Sequence, residues 1–488
     1  MNRQAITSAG RDGFPCGRTR REFIWETGAG FTSLALAYLL GRDGFMAGQS
    51  KAAEVAGYVN PLAPKKSHFA PQAKSVIFLF MYGGPSQVDL FDPKPELQQK
   101  HGKTIDIEQR KDQVKPGTLL GSTWKFQKYG QAGIEISDLY RNLAQHADEM
   151  AIIRSMYADS FAHGSAILQM NTGSLFQGKP SLGSWTTYGL GSESENLPAF
   201  VVVLDPRGGP ISGPPNWSAG FMPAAFQGTL LRATGDPIVD LHPPAGVTRE
   251  QQRQQLDLLG RLNEMHRQGH QKETELAARI ASYELAFRMQ AAAPEAVDLA
   301  DESETTKSLY GMNQDISRDF GRKCLLARRL VERGVRFVQI YSGGGHNDEN
   351  WDAHSNVNAN HELHCGETDR PIAGLITDLK RRGLLDSTLI VWGGEFGRMP
   401  ISQNSLGRDH NPKGFTCWLA GGGVKGGQVV GATDEIGYAA AENRVHVHDL
   451  HSTILHLLGI DHTLLTYFHG GRNQRLTDVH GNLIQQII

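Results

Sequence analysis

An α/β fold built on a mainly parallel sheet is what three features of the sequence predict. Short apolar runs recur along the chain and stop at glycine, as at Ser75–Met81 before Gly83-Gly84 and Leu389–Trp392 before Gly393-Gly394. Helix-like segments separate the runs, the pattern of parallel strands with crossover helices. Histidines and carboxylates crowd just after the runs, at the edge where open α/β sheets hold their sites.

The elements follow in order. Thr19-Arg20-Arg21-Glu22-Phe23-Ile24 is a twin-arginine pattern, and a weakly apolar run extends from Gly28 to Leu40. That run is too short to span a bilayer, which takes about 20 residues. Residues 1–53 therefore read as an export signal and the start of a linker, and 54–74 as the rest of the linker. The expected address is periplasmic or otherwise exported, with the twin-arginine machinery as a partner and no stable membrane span.

From residue 75 to 488 a single domain is expected. Ser75–Met81 reads as a central strand, and its end supplies Asp89 and Asp92, each either a metal ligand or a turn cap. Residues 94–133 are polar and carry no clear pattern. A helix is predicted from Ile136 through Met150, then a strand at 151–156. Ser160 to Gly173 reads as a loop feeding a helix N-terminus, which turns amides toward an anion. Ser184–Leu190 reads as a helix and Phe200–Leu204 as a buried strand. Residues 205–247, rich in Gly, Pro and aromatics, resemble an ordered active-site loop. A helical insertion around 248–310 contains a long helical region near 249–290, and Arg318–Glu332 is a further helix. A strand at Val335–Tyr341, a helix carrying Ile372, Leu375, Ile376 and Leu379, and the strand Leu389–Trp392 come next. A strand near Thr416–Leu419 and a helix at Asp449–Leu458 close the chain.

Composition sets bounds. A net charge of -2 over 488 residues gives no electrostatic case for nucleic acid or an acidic membrane surface. Beyond Cys16 the cysteines are Cys324, Cys365 and Cys417. Their odd number, without any CxxC, excludes a disulfide framework and a thiolate zinc cluster.

The densest run of potential ligands lies between Phe337 and Lys413. Asp352 and His354 follow one strand; Glu395, Asp409 and His410 follow the next. Carboxylate and imidazole together suit a divalent metal, with Zn, Mn or Ca as candidates. For Glu395 the alternative is a buried ion pair with Arg398. Asp409 is either a ligand or a partner holding the His410 ring. His346, His361 and His364 are expected at the surface or behind the ligands, and His448, His451 and His456 as supports of a helix.

Arg20-Arg21, Gly83-Gly84-Pro85-Ser86, Pro180 to Trp185, Gly394-Glu395-Phe396-Gly397-Arg398 and His451 to Gly459 together resemble the exported bacterial "domain of unknown function 1501" family, described as sulfatase-like. The likeness covers nearly the whole chain. It implies the alkaline-phosphatase and sulfatase fold, a three-layer α/β/α sandwich, and a metal-assisted site for sulfate or phosphate esters on small molecules or polysaccharides. By that resemblance Asp89 is the first metal-binding Asp, Glu395 stands in for an Asp, Asp352 and His354 form a further pair, and His410 matches a later His. Phe396 occupies a His position and cannot bind metal. The nucleophile position falls on His163, with Ser160, Ser165 or a metal-activated water as alternatives; the catalytic set is then His163, Ser165 and Arg398. The reading from a different class is a catalytically degenerate member that binds a glycan or an envelope partner.

Overall fold

A computed structural model describes residues 60–488 except 111, 233–245, 270–273 and 346–348. The twin-arginine stretch, the linker up to residue 59 and His346 lie outside the described residues. Residues Val59–Ile488 form one compact unit.

One sheet organises this unit. Its strands are β1 (Ser75–Met81), β2 (Met150–Tyr157), β3 (Phe200–Val203), β4 (Thr229–Leu231), β5 (Phe337–Ser342), β6 (Thr388–Gly393), β7 (Phe415–Ala420), β8 (Gln428–Val430) and β9 (Val445–His446). Their order is β8-β2-β7-β6-β1-β5-β3-β4, with β9 added beside β2. The apolar strand β1 lies at the centre, parallel to both β6 and β5, with Phe78 opposite Val391 and Gln339. Strand β7 runs antiparallel to β6 and to β2. Two reversals restore the original direction, so β1, β2, β5 and β6 all end at the same edge.

Side chains alternate across the pleat. Ile77, Leu79 and Met81 enter one core, shared with α5 (Arg318–Glu332) and α6 (Val357–Arg381). Val76, Phe78 and Phe80 enter the opposite core, shared with α1 (His163–Thr172), α2 (Leu182–Leu190) and α7 (Val447–Leu457). Helices on both faces make three layers, and strands buried on both faces account for the uninterrupted apolar runs. Truncating Phe78 to Ala would cost about 3–5 kcal/mol.

Two segments depart from the sequence expectations. Residues 136–150 form no single helix: Ile134–Ser137 is a strand paired with Phe126–Tyr129, and Leu143–Glu149 is a 3₁₀ segment. Ile134 and Ile136 are buried alternately, and the Asp369 carboxylate accepts the N–H groups of Asn142 and Leu143, fixing a turn there. The patternless stretch near 100 holds a hairpin of Thr104–Arg110 with Gln113–Thr118. The expected helical region of the insertion holds α3 (Arg249–Gly269) and α4 (Thr274–Val297). No helix among the described residues is long and apolar enough to cross a membrane.

Candidate metal centre

Loops at the shared edge supply the site. After β2 the chain enters α1, whose first residue is His163. After β5 it passes Gly343 and reaches Asp352 and His354; after β6 it reaches Glu395, Arg398, Asp409 and His410. His163, Asp352, His354 and His410 offer ligand atoms that all lie within 4.8 Å of one another.

The carboxylate of Asp352 is the hub. Its Oδ1 lies 2.8 Å from His354 Nε2 and 3.0 Å from His410 Nε2, and its Oδ2 lies 3.1 Å from His163 Nε2. The Nε2 atoms of His354 and His410 are 2.9 Å apart. On the far side of each ring an acceptor meets Nδ1: Glu395 Oε1 at 2.6 Å for His163, Gln403 Oε1 at 2.5 Å for His354 and the Phe161 carbonyl at 2.7 Å for His410. An acceptor at Nδ1 holds the proton there and leaves the Nε2 lone pair facing inward. His163 Nε2 is buried and makes no hydrogen bond of good geometry.

Charge follows from this packing. Burial works against ionising Asp352, but the three imidazoles and Arg398 hold its pKa far below the carboxylate range. Burial opposes protonation of His163 too, yet Asp352 and Glu395 flank the ring and raise its pKa to about 9. Burial pushes His410 down to about 4. Phe396 is buried and stacks on His410 with ring centroids 4.5 Å apart, walling the site on that side.

Three inward imidazoles and one carboxylate fit a first-row transition cation, which takes nitrogen at about 2.0–2.1 Å. They do not fit Ca, which takes oxygen ligands. When bound, such a cation supplies charge for an anionic oxygen and acidity for a water.

The other expected residues lie elsewhere or act otherwise. Glu395 is fully buried, and both of its oxygens accept the Gly83 N–H. Arg398 does not pair with Glu395. Its guanidinium contacts Asp352 Oδ1 at 2.6 Å and the carbonyls of Gly83, Gly84, Trp351 and Arg408, and the side chain is fully buried. Asp89 pairs with buried Arg408 at 2.8 Å and accepts the Ser86 hydroxyl at 2.5 Å. Asp92 accepts from Thr433 and pairs with Lys94. Asp409 accepts the His410 N–H and stands 4.0 Å from His354 Nδ1. Ser165 Oγ lies 2.6 Å from Ser160 Oγ, two residues into α1 from His163.

His361 and His364 are fully buried, not at the surface. His361 Nε2 accepts the Ser86 N–H and His364 Nε2 donates to the Asn350 carbonyl, bracing the loop before Asp352. His448 and His451 donate to the Gly173 and Met170 carbonyls at the end of α1. Gln403 and the Phe161 carbonyl were not anticipated, since neither an amide nor a main-chain oxygen stands out in a sequence.

A family model described as "Protein of unknown function (DUF1501)" matches residues 73–488. No curated protein matches the chain. Among solved structures the chain is similar to a 2-O GAG sulfatase, at 10% identity and a TM-score of 0.38, covering 84% of this chain and 73% of that one. It is also similar to the PsFucS1 sulfatase from Pseudoalteromonas sp. at 13% identity and a TM-score of 0.35, covering 83% and 72%. A third likeness is the phosphonate monoester hydrolase SpPMH from Silicibacter pomeroyi, at 12% and 0.32, covering 66% and 68%.

Proposed function

Taking as premise that the chain belongs to the DUF1501 family, we propose that it is an exported hydrolase of sulfate or phosphate esters, polysaccharide esters among them, that works with one divalent transition cation. The observation that carries this reading is the anchoring of three Nδ1 atoms, which leaves three Nε2 atoms and one carboxylate converging on a single point. Zn and Mn suit that donor set.

The chain's own groups have distinct tasks. Asp352, His163, His354 and His410 hold the cation. The first turn of α1 faces no side-chain cap, because its N-cap is Ala162. Its amides therefore stay available to the oxygens of a sulfate or phosphate group. Ser160 and Ser165 are the hydroxyls nearest that turn in sequence, and Ser165 is the candidate nucleophile among them. Arg398 orients Asp352 from behind.

Elemental analysis of the purified protein, with aryl sulfates and aryl phosphates as substrates, tests the reading. One Zn or Mn per chain, and turnover lost together with metal in His354→Ala, is the expected result; a metal-free active protein would sink it. Export is tested apart, by a reporter fused to residues 1–53, with Arg20→Lys and Arg21→Lys together expected to keep the reporter inside.

A second reading, a cation-holding protein that binds a glycan or envelope partner without turning it over, draws on the Arg398 contact with Asp352 Oδ1. That guanidinium takes up carboxylate charge the cation would otherwise claim. Metal bound at one per chain without hydrolysis of either ester class would favour it.

A further inference from the structure

This inference deepens the metal reading and rests on it: we propose that Glu395 is a positioning residue that makes His163 the strongest of the three nitrogen donors. The sequence offers two other roles for a buried Glu at a strand end, a metal ligand or the partner of a nearby Arg. The geometry assigns neither. Its Oε1 is 2.6 Å from His163 Nδ1, and both oxygens accept the Gly83 N–H, at 3.0 and 3.2 Å. The guanidinium of Arg398, three residues on, is turned to Asp352 and to four main-chain carbonyls.

The three anchors differ in kind. His354 leans on an amide oxygen and His410 on a main-chain carbonyl, both neutral. Only His163 hydrogen-bonds a carboxylate at Nδ1, while the Asp409 carboxylate stands 4.0 Å from His354 Nδ1, beyond hydrogen-bond reach, and a negative charge on one ring nitrogen raises the basicity of the other. Burial sharpens the effect, because Glu395 has no exposure to water that would screen it. The Gly83 peptide fixes where that charge sits. Its N–H holds Glu395 while its carbonyl accepts from Arg398, so the end of β1 sets the positions behind both His163 and Asp352.

Zn²⁺ affinity by competition with a chromophoric chelator, and the visible spectrum of the Co²⁺-loaded protein, test this on the full-length chain. Glu395→Gln keeps size and an accepting oxygen but removes the charge. It is expected to weaken Zn²⁺ binding about 10–100-fold and to shift the Co²⁺ bands, with cooperative unfolding retained in chelator. The wild-type protein supplies an independent measurement by ¹⁵N NMR: Zn²⁺ is expected to move the His163 Nε2 resonance while the Nδ1 proton persists. Unchanged affinity and spectrum in Glu395→Gln, or metal at Nδ1 of His163, would overturn the proposal with the metal site intact. Wild-type protein that takes up neither Zn²⁺ nor Co²⁺ would instead remove the premise.

Discussion

At Asp352 one carboxylate faces three imidazoles and a guanidinium, and its removal has two separable effects. Arg398 is fully buried, so Asp352→Ala leaves its charge without a carboxylate partner. A stability loss of about 3–5 kcal/mol in chemical denaturation is expected, together with loss of the metal. His163 gives a pH signature in metal-free protein. Its pKa is raised from 6.5 to about 9, so the stabilisation from its charged ring is complete below 6.5 and disappears as pH climbs through about 9. Thermal midpoints in chelator are expected to fall across that window in wild type, and to fall less in His163→Gln. Asp89 makes a third case: Asp89→Ala strands buried Arg408 and is expected to cost about 3–5 kcal/mol, while the folded fraction keeps its metal by elemental analysis. Retained stability with lost metal would restore Asp89 as a ligand.

At the scale of elements, the strand ends decide the site. Gly83 has a φ of 115°, and a Cβ there would lie 2.5 Å from the Asp352 nitrogen. Gly83→Ala is therefore expected to push the Asp352 loop away and to abolish metal binding without touching a ligand, at a cost of at least about 1–3 kcal/mol in denaturant. The elements themselves were legible where apolar runs were long. β1, β6 and the α6 face carry signals that a doubly buried strand and a packed helix must leave in sequence. The site was legible in part for the same reason: Asp352, His354 and His410 lie in the segments that follow such strands. What escaped was pairing over distance. That Arg398 serves Asp352 and not Glu395, and that Asp89 meets Arg408, depends on how loops 46 and 319 residues apart fold back. The helix expected at 136–150 failed because a period of two at Ile134 and Ile136 overlaps a turn fixed by Asp369.

At the scale of the whole molecule, two apolar cores clamp the sheet and present one rigid edge. A cation held there binds the folded chain and not the unfolded one, so free Zn²⁺ at 100 times its dissociation constant should add about 2.7 kcal/mol. Thermal midpoints that climb with Zn²⁺ and collapse in chelator would check this. Gly83 and Glu395 touch across 312 residues of sequence, and His410 comes later still. During synthesis, then, no nascent fragment shorter than that span owns a complete centre. Loading with the proposed cation would therefore come late in the life of each chain, after its last ligand has emerged from the ribosome.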